Sequence, residues 1–97
     1  MEEFFIPQGL KISPYTVYFW SNENDPLEPV YIHIAEGKAV PSATKIWITS
    51  TGRTLICNNN SGIPDRILRR LLLIIEANSE RIINDWKEHF GEIRFFC

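Results

Sequence analysis

The stretch Asn58–Ile75, NNNSGIPDRILRRLLLII, is where the pattern of the chain changes. Upstream, apolar residues alternate with polar ones; here they fall at Ile67, Leu68, Leu71, Leu72 and Ile75, the three-and-four spacing of one helix face. Pro64 and Asp65 suit a first helical turn, where a missing N–H costs nothing and a carboxylate meets the positive end of the helix dipole. A second stripe, Ile82, Ile83, Trp86 and Phe90, ends at Gly91, a natural C-terminal cap. One rod from Pro64 to Phe90 would be about 40 Å long at the usual helical rise, too long for a domain of this size. A break is therefore expected near Asn78 and Ser79, with Ser79 capping the second helix.

Working back from this switch, four segments are β-rich and alternating: Thr16–Trp20, Val30–Ile34, Thr44–Thr49 and Thr54–Asn58. Turn-forming stretches separate them at Ser21–Pro29, Ala35–Ala43 and Ser50–Arg53, and an antiparallel meander is the simplest outcome. Phe4–Ile12, broken by Pro7 and Gly9, reads as an edge strand or an extended cover. Ile93–Cys97 reads as a further short strand or an apolar tail that covers something. The predicted fold class is α+β: one domain over residues 1–97, with a sheet of four to five strands over about 4–58 and two C-terminal helices over about 64–90 packed on one face.

At 97 residues there is room for one main core. Hydrophobic residues at 44% and charged residues at 23% are ordinary for a soluble globular chain. Ten Lys and Arg against twelve Asp and Glu leave a net charge of −2, so no global field gathers nucleic acid or anionic lipid. The longest apolar run, Leu71–Ile75, is far short of a membrane span, and Glu2 and Glu3 stand where a signal peptide would be basic; a cytoplasmic protein without membrane association is expected. Cys57 and Cys97 show no paired spacing and read as free thiols.

The order SPYTVYFWSNE, EPVYIHI, ATKIWIT, NNNSGIP and a helical tail ending in W-x-x-x-F-G resembles a small bacterial family of unknown function. That family's pattern has an S-N-E turn, an E-P-P-H-x-H-V or E-P-V-H-x-H-V strand, an A-x-K-x-W strand and two C-terminal helices. Glu28 and Pro29 match the start of the signature, His33 its second histidine, and Lys45 and Trp47 the K-x-W pair; the first histidine is Tyr31 here. Some members are labelled the toxin component of a toxin–antitoxin system, and the resemblance implies that role. With Tyr31 in place, a mechanism needing both histidines would fail in this chain.

Alternate residues of a strand share a face, which groups Tyr31 with His33, Tyr18 with Trp20 and Lys45 with Trp47, opposite the aliphatic residues. If the aliphatic set meets the helices, the other face carries Trp20, Tyr31, His33, Lys45 and Trp47 as candidate binding residues. One reading is a stacking platform for bases or a partner; the favoured one is a face covered by the N-terminal segment, the FFC tail or a second subunit. Arg66 and Arg70, one turn apart beside Arg69, suit phosphates or an acidic partner, although such a trio is more often a solvated face. The Asn58–Ser61 run could offer amides to a base edge or a peptide, but reads more readily as a strand-to-helix turn.

His33, His89, Cys57, Cys97 and Glu28 lack the spacing of a metal site, and no cofactor is implied. His89 is explained by its helix C-terminus, and Cys57 beside Leu55 by burial. His33 is the best catalytic candidate. The sequence thus points to a non-enzymatic interaction module binding a protein partner or a second copy rather than nucleic acid, and the resemblance implies a place in a toxin–antitoxin-like pair. The alternatives are a small RNA-cleaving toxin using His33 with Lys45 or arginines, and a nucleic-acid-binding domain without catalysis.

Overall fold

The structure is a computed structural model, and it describes residues 4–5, 10–20 and 28–97. Its elements are β1 (Phe4–Phe5), β2 (Lys11–Ile12), β3 (Tyr15–Trp20), β4 (Tyr31–Glu36), β5 (Thr44–Ile48), β6 (Thr54–Asn58), α1 (Asp65–Ala77) and α2 (Ser79–Phe90). The fold is α+β, an antiparallel sheet followed by two C-terminal helices. The four predicted strands are β3 to β6, hydrogen-bonded in chain order as a meander. β1 and β2 pair with opposite ends of β3, so the leading segment supplies edge strands. Most of the predicted Ser21–Pro29 turn lies outside the described residues.

Val17 opposes Ile34, Ile32 opposes Ile46, and Ile48 opposes Thr54. This register gathers Val17, Phe19, Ile32, Ile34, Ile46 and Ile48 into one buried layer, on which Leu68, Leu71 and Ile75 of α1 and Ile82 and Trp86 of α2 pack. The helices therefore cover the aliphatic side of the sheet. Phe19 meets Trp86 at 4.9 Å and Phe90 at 5.7 Å between ring centroids, which anchors α2 to β3.

The helix break falls where rod length demanded it, between Ala77 and Ser79. Ser79 is not its cap: it is the first residue of α2, and Asn78 stands before it with no side-chain cap bond. The Asn78 amide instead donates to the Ile74 carbonyl, closing the end of α1. Pro64 lies just outside α1, its carbonyl accepting the Leu68 N–H, and Gly91 ends α2 in the left-handed conformation at φ 78°.

One reading of the strand region is corrected, and another is decided between its two alternatives. Cys57 is exposed rather than buried: it lies on the edge strand β6, where Leu55 and Ile56 are exposed as well, and a bulge that pairs Lys45 with Asn58 and Ile46 with Ile56 leaves it without a partner residue across the ladder. Residues 91–97 form no strand: the Arg94 carbonyl accepts from Val30 N–H, the Cys97 carbonyl accepts from Ser50 N–H, and Ile93 and Phe95 pack against the core. The segment is thus the covering tail of the two alternatives.

The β5–β6 turn is tied to the helix junction. Gly52 has φ +81°, and a Cβ placed there would meet Ser79 Oγ at 2.7 Å. Close by, the Glu76 carboxylate accepts from both the N–H and the hydroxyl of Thr54, at 2.8 and 2.9 Å, filling the first donor of the β6 edge. Gly52→Ala is expected to destabilise the fold by about 1–2 kcal/mol in urea unfolding. Most of that loss should persist in a Ser79→Ala background, because the serine hydroxyl can rotate away while the backbone strain cannot.

Candidate functional site

Opposite the helices, Tyr18 pairs with His33, His33 with Lys45, and Tyr31 with Trp47 across neighbouring strands. Sheet alternation thus brings five of the seven candidate binding residues, Trp20, Tyr31, His33, Lys45 and Trp47, onto one face. Arg66 and Arg70 are exposed on α1, which packs on the other side of the sheet. The candidates therefore fall into two separate places.

The aromatic face is filled rather than open. Trp20, Tyr31 and His33 are buried, as is Tyr18, and the rings lock edge to face: Tyr18 meets Trp20 at 5.5 Å, and Tyr31 meets His33 at 5.1 Å. Part of the cover is a loop that the sequence did not single out for this role. Tyr18 Oη donates to the Val40 carbonyl at 2.6 Å and accepts from the Val40 N–H at 2.9 Å, so Ala39 and Ala43 lie over Tyr18 and Trp20. The other part is the tail, whose Phe96 stacks on Trp47 at 5.0 Å with 5° between the planes. At this end of the sheet the face joins the main core: Tyr31 and Trp47 pack with the cluster that includes the helix residues, and the Tyr31 ring meets Trp86 of α2 at 5.1 Å.

Lys45 is the charged centre of this face. Its Nζ lies 2.6 Å from Glu28 Oε1, 4.6 Å from the Tyr31 ring and 4.5 Å from the Trp47 ring. Two ring faces and a carboxylate thus hold one ammonium, a geometry worth more than an exposed ion pair because the rings exclude water. The signature residues Glu28, Tyr31, Lys45 and Trp47 are parts of this single contact set. Glu28 and Lys45 stood in separate motifs, and nothing in their spacing announced that they meet.

His33 is 7% exposed, and its Nδ1 lies 3.3 Å from the carbonyls of Ala43 and Thr44. Those acceptors require the proton on Nδ1, leaving Nε2 as the basic nitrogen of the neutral ring. Burial pushes the imidazole pKa below its ordinary value; the Thr44 and Ala43 carbonyls oppose this, Lys45 adds to it and Glu28 opposes it. The adjoining polar residues are structural: Ser61 Oγ donates to the Ile34 carbonyl, Thr44 Oγ1 donates to Asn59, and Asn59 in turn spans Ile63. The Asn58–Ser61 run is accordingly a bonded turn into α1.

Among the described residues no group of three His, Cys, Asp or Glu side chains comes together to hold a metal. His89 lies in the last turn of α2 with its ring against Phe19 and Phe90. A cavity of about 280 Å³ lies at the far end of β3, lined by Leu10, Pro14, Tyr15, Thr16, Val17 and Gly37, away from the signature residues. No helix is long and apolar enough to cross a membrane.

A family model described as a domain of unknown function, DUF4160, matches residues 15–87, from the start of β3 into the last turn of α2. The chain belongs to the DUF4160 family. Neither a curated protein nor a solved structure matches it. Within this DUF4160 domain the match includes Glu28, Tyr31, His33, Lys45 and Trp47 and stops before Phe96, so the ring stacked on Trp47 comes from outside the matched segment.

The lowered His33 pKa has a definite sign in stability. Between the folded value and the ordinary imidazole value the unfolded chain binds more protons, so stability rises with pH across that window and is lost as pH falls through it. The urea midpoint should therefore fall between about pH 8 and pH 5.5, and His33→Asn, which keeps a donor without a titrating ring, should flatten that fall. A midpoint equally steep in both proteins would remove His33 from the account.

Proposed function

We propose that this DUF4160 domain is a non-enzymatic interaction module that binds a protein partner through the surface around Trp47, Lys45 and Phe96, as one component of a toxin–antitoxin-like pair. The observation that carries the reading is the occupied state of Lys45, held by Glu28 and by the faces of Tyr31 and Trp47. A lysine serving phosphate chemistry needs its charge free for substrate, whereas this one is neutralised and fixed. The burial and lowered pKa of His33 point the same way, since a general acid must hold its proton near working pH and present it to substrate. Half-buried Trp47 and exposed Phe96 instead offer a stacked aromatic anchor beside a charged rim, the composition of an interface centre. The toxin–antitoxin role rests on the resemblance of the signature alone.

The test is co-expression with the product of the adjacent gene, followed by native mass spectrometry and titration of any complex. Trp47→Ala is expected to weaken the complex by about tenfold or more, as truncation of a central aromatic anchor does. Phe96→Asp, at a position 58% exposed, should weaken the complex likewise, with thermal unfolding measured alongside to separate a lost contact from a loosened tail. A bare monomer with no complex overturns the reading. RNA cleavage or growth arrest abolished by His33→Ala in a folded protein overturns it in favour of an enzyme.

A further inference from the structure

The buried stripe of α1 consists of Leu68, Leu71 and Ile75, yet the helix carries apolar residues well beyond it. At about 100° per residue, Arg66, Arg69, Arg70 and Leu73 point away from the sheet, and Ile67 and Ile74 run along one shoulder. All six are exposed, and Leu73 at 67% is among the most exposed large apolar side chains described. Arg69 and Arg70 stand four and three residues before Leu73, the helix-surface neighbour spacings, and Arg66 stands one turn before Arg70, so the leucine is framed by guanidinium groups. None of the three arginines has an ion pair among the described residues. A helix that needed only to cover the sheet would carry polar residues at 67, 73 and 74.

We infer that the outward side of α1 is a second docking face, which takes an acidic helical segment of a partner protein bearing an apolar stripe of its own. Charge complementarity sets the sign of the partner: three guanidiniums without an ion pair among the described residues cluster on one helix of a chain whose net charge is −2. The apolar residues set its class. Ile67, Leu73 and Ile74 interleave with the arginines, and a phosphate backbone has nothing to bury against them, whereas the leucines of an amphipathic helix do. This face lies on the helical side of the sheet, apart from the Trp47 surface, and each stands or falls without the other.

The full chain, isotope-labelled, is titrated with a synthetic amphipathic peptide of Glu, Ala and Leu, its leucines at helical spacing and its flanks acidic. Amide shifts are expected along α1, with an affinity that falls as salt rises. Leu73→Glu and Arg70→Glu should each weaken binding by about tenfold with unchanged thermal unfolding, while Phe96→Asp leaves it intact. The inference is overturned by the absence of α1 shifts, or by equal binding of a peptide with Lys in place of Glu. It is also overturned if a uridine-rich RNA or a phosphatidylglycerol vesicle binds α1 more tightly than the peptide. A dimer of the unliganded chain that Leu73→Glu dissociates would likewise overturn it, assigning the face to a second copy.

Discussion

The register of β3, β4 and β5 is the constraint on which the rest of this structure depends. Val17 against Ile34 and Ile32 against Ile46 place the valine and isoleucine side chains of three strands under the helices. Because side chains alternate, the same register gathers Tyr18, His33, Lys45, Tyr31 and Trp47 on the opposite face. A slip of one residue would bury Lys45 under α1 and α2 and expose the isoleucines, so the core and the aromatic face are specified together. Burial of the isoleucines supplies the driving force, and the aromatic face inherits its geometry from it.

That second face is held by hydrogen bonds as much as by packing. Tyr18 grips both backbone groups of Val40, His33 donates to the carbonyls of the segment that leads into β5, and Ser61 and Asn59 bond Ile34 and Thr44 from the turn before α1. Each buried polar group in this set is tied to backbone or to another member, which gives a polar layer one arrangement instead of several. The cost is chemical: a histidine so placed loses the exposure that acid–base work requires. Lys45 is committed in the same way, to two rings and a carboxylate.

Beyond these committed groups, the surface carries two places where apolar side chains stand exposed. Phe96 over Trp47 on one side of the sheet and Leu73 among three arginines on the other are aromatic or apolar groups set beside charge. On the readings proposed above, each would be covered by a partner surface. Two faces on opposite layers would let one small domain bridge two segments of a partner.

The sequence by itself determined the elements and their order. The change of period at Asn58–Ile75 separated sheet from helices, rod length called for a break near Asn78 and Ser79, and alternation assigned the residues of three strands to their faces, because all three depend only on local spacing. Only the tertiary structure decided that Glu28 meets Lys45, that Val40 and Phe96 cover the aromatic face, that Cys57 lies exposed on the edge strand and that Asn78 rather than Ser79 stands at the helix junction. Those outcomes join residues distant in the chain, or depend on which neighbour supplies a hydrogen bond, and no periodicity encodes them. Tyr31 and His33 were legible as neighbours on one face; whether that face was open to a ligand or filled by its own chain was a question of what folds back onto it, and that is settled by packing.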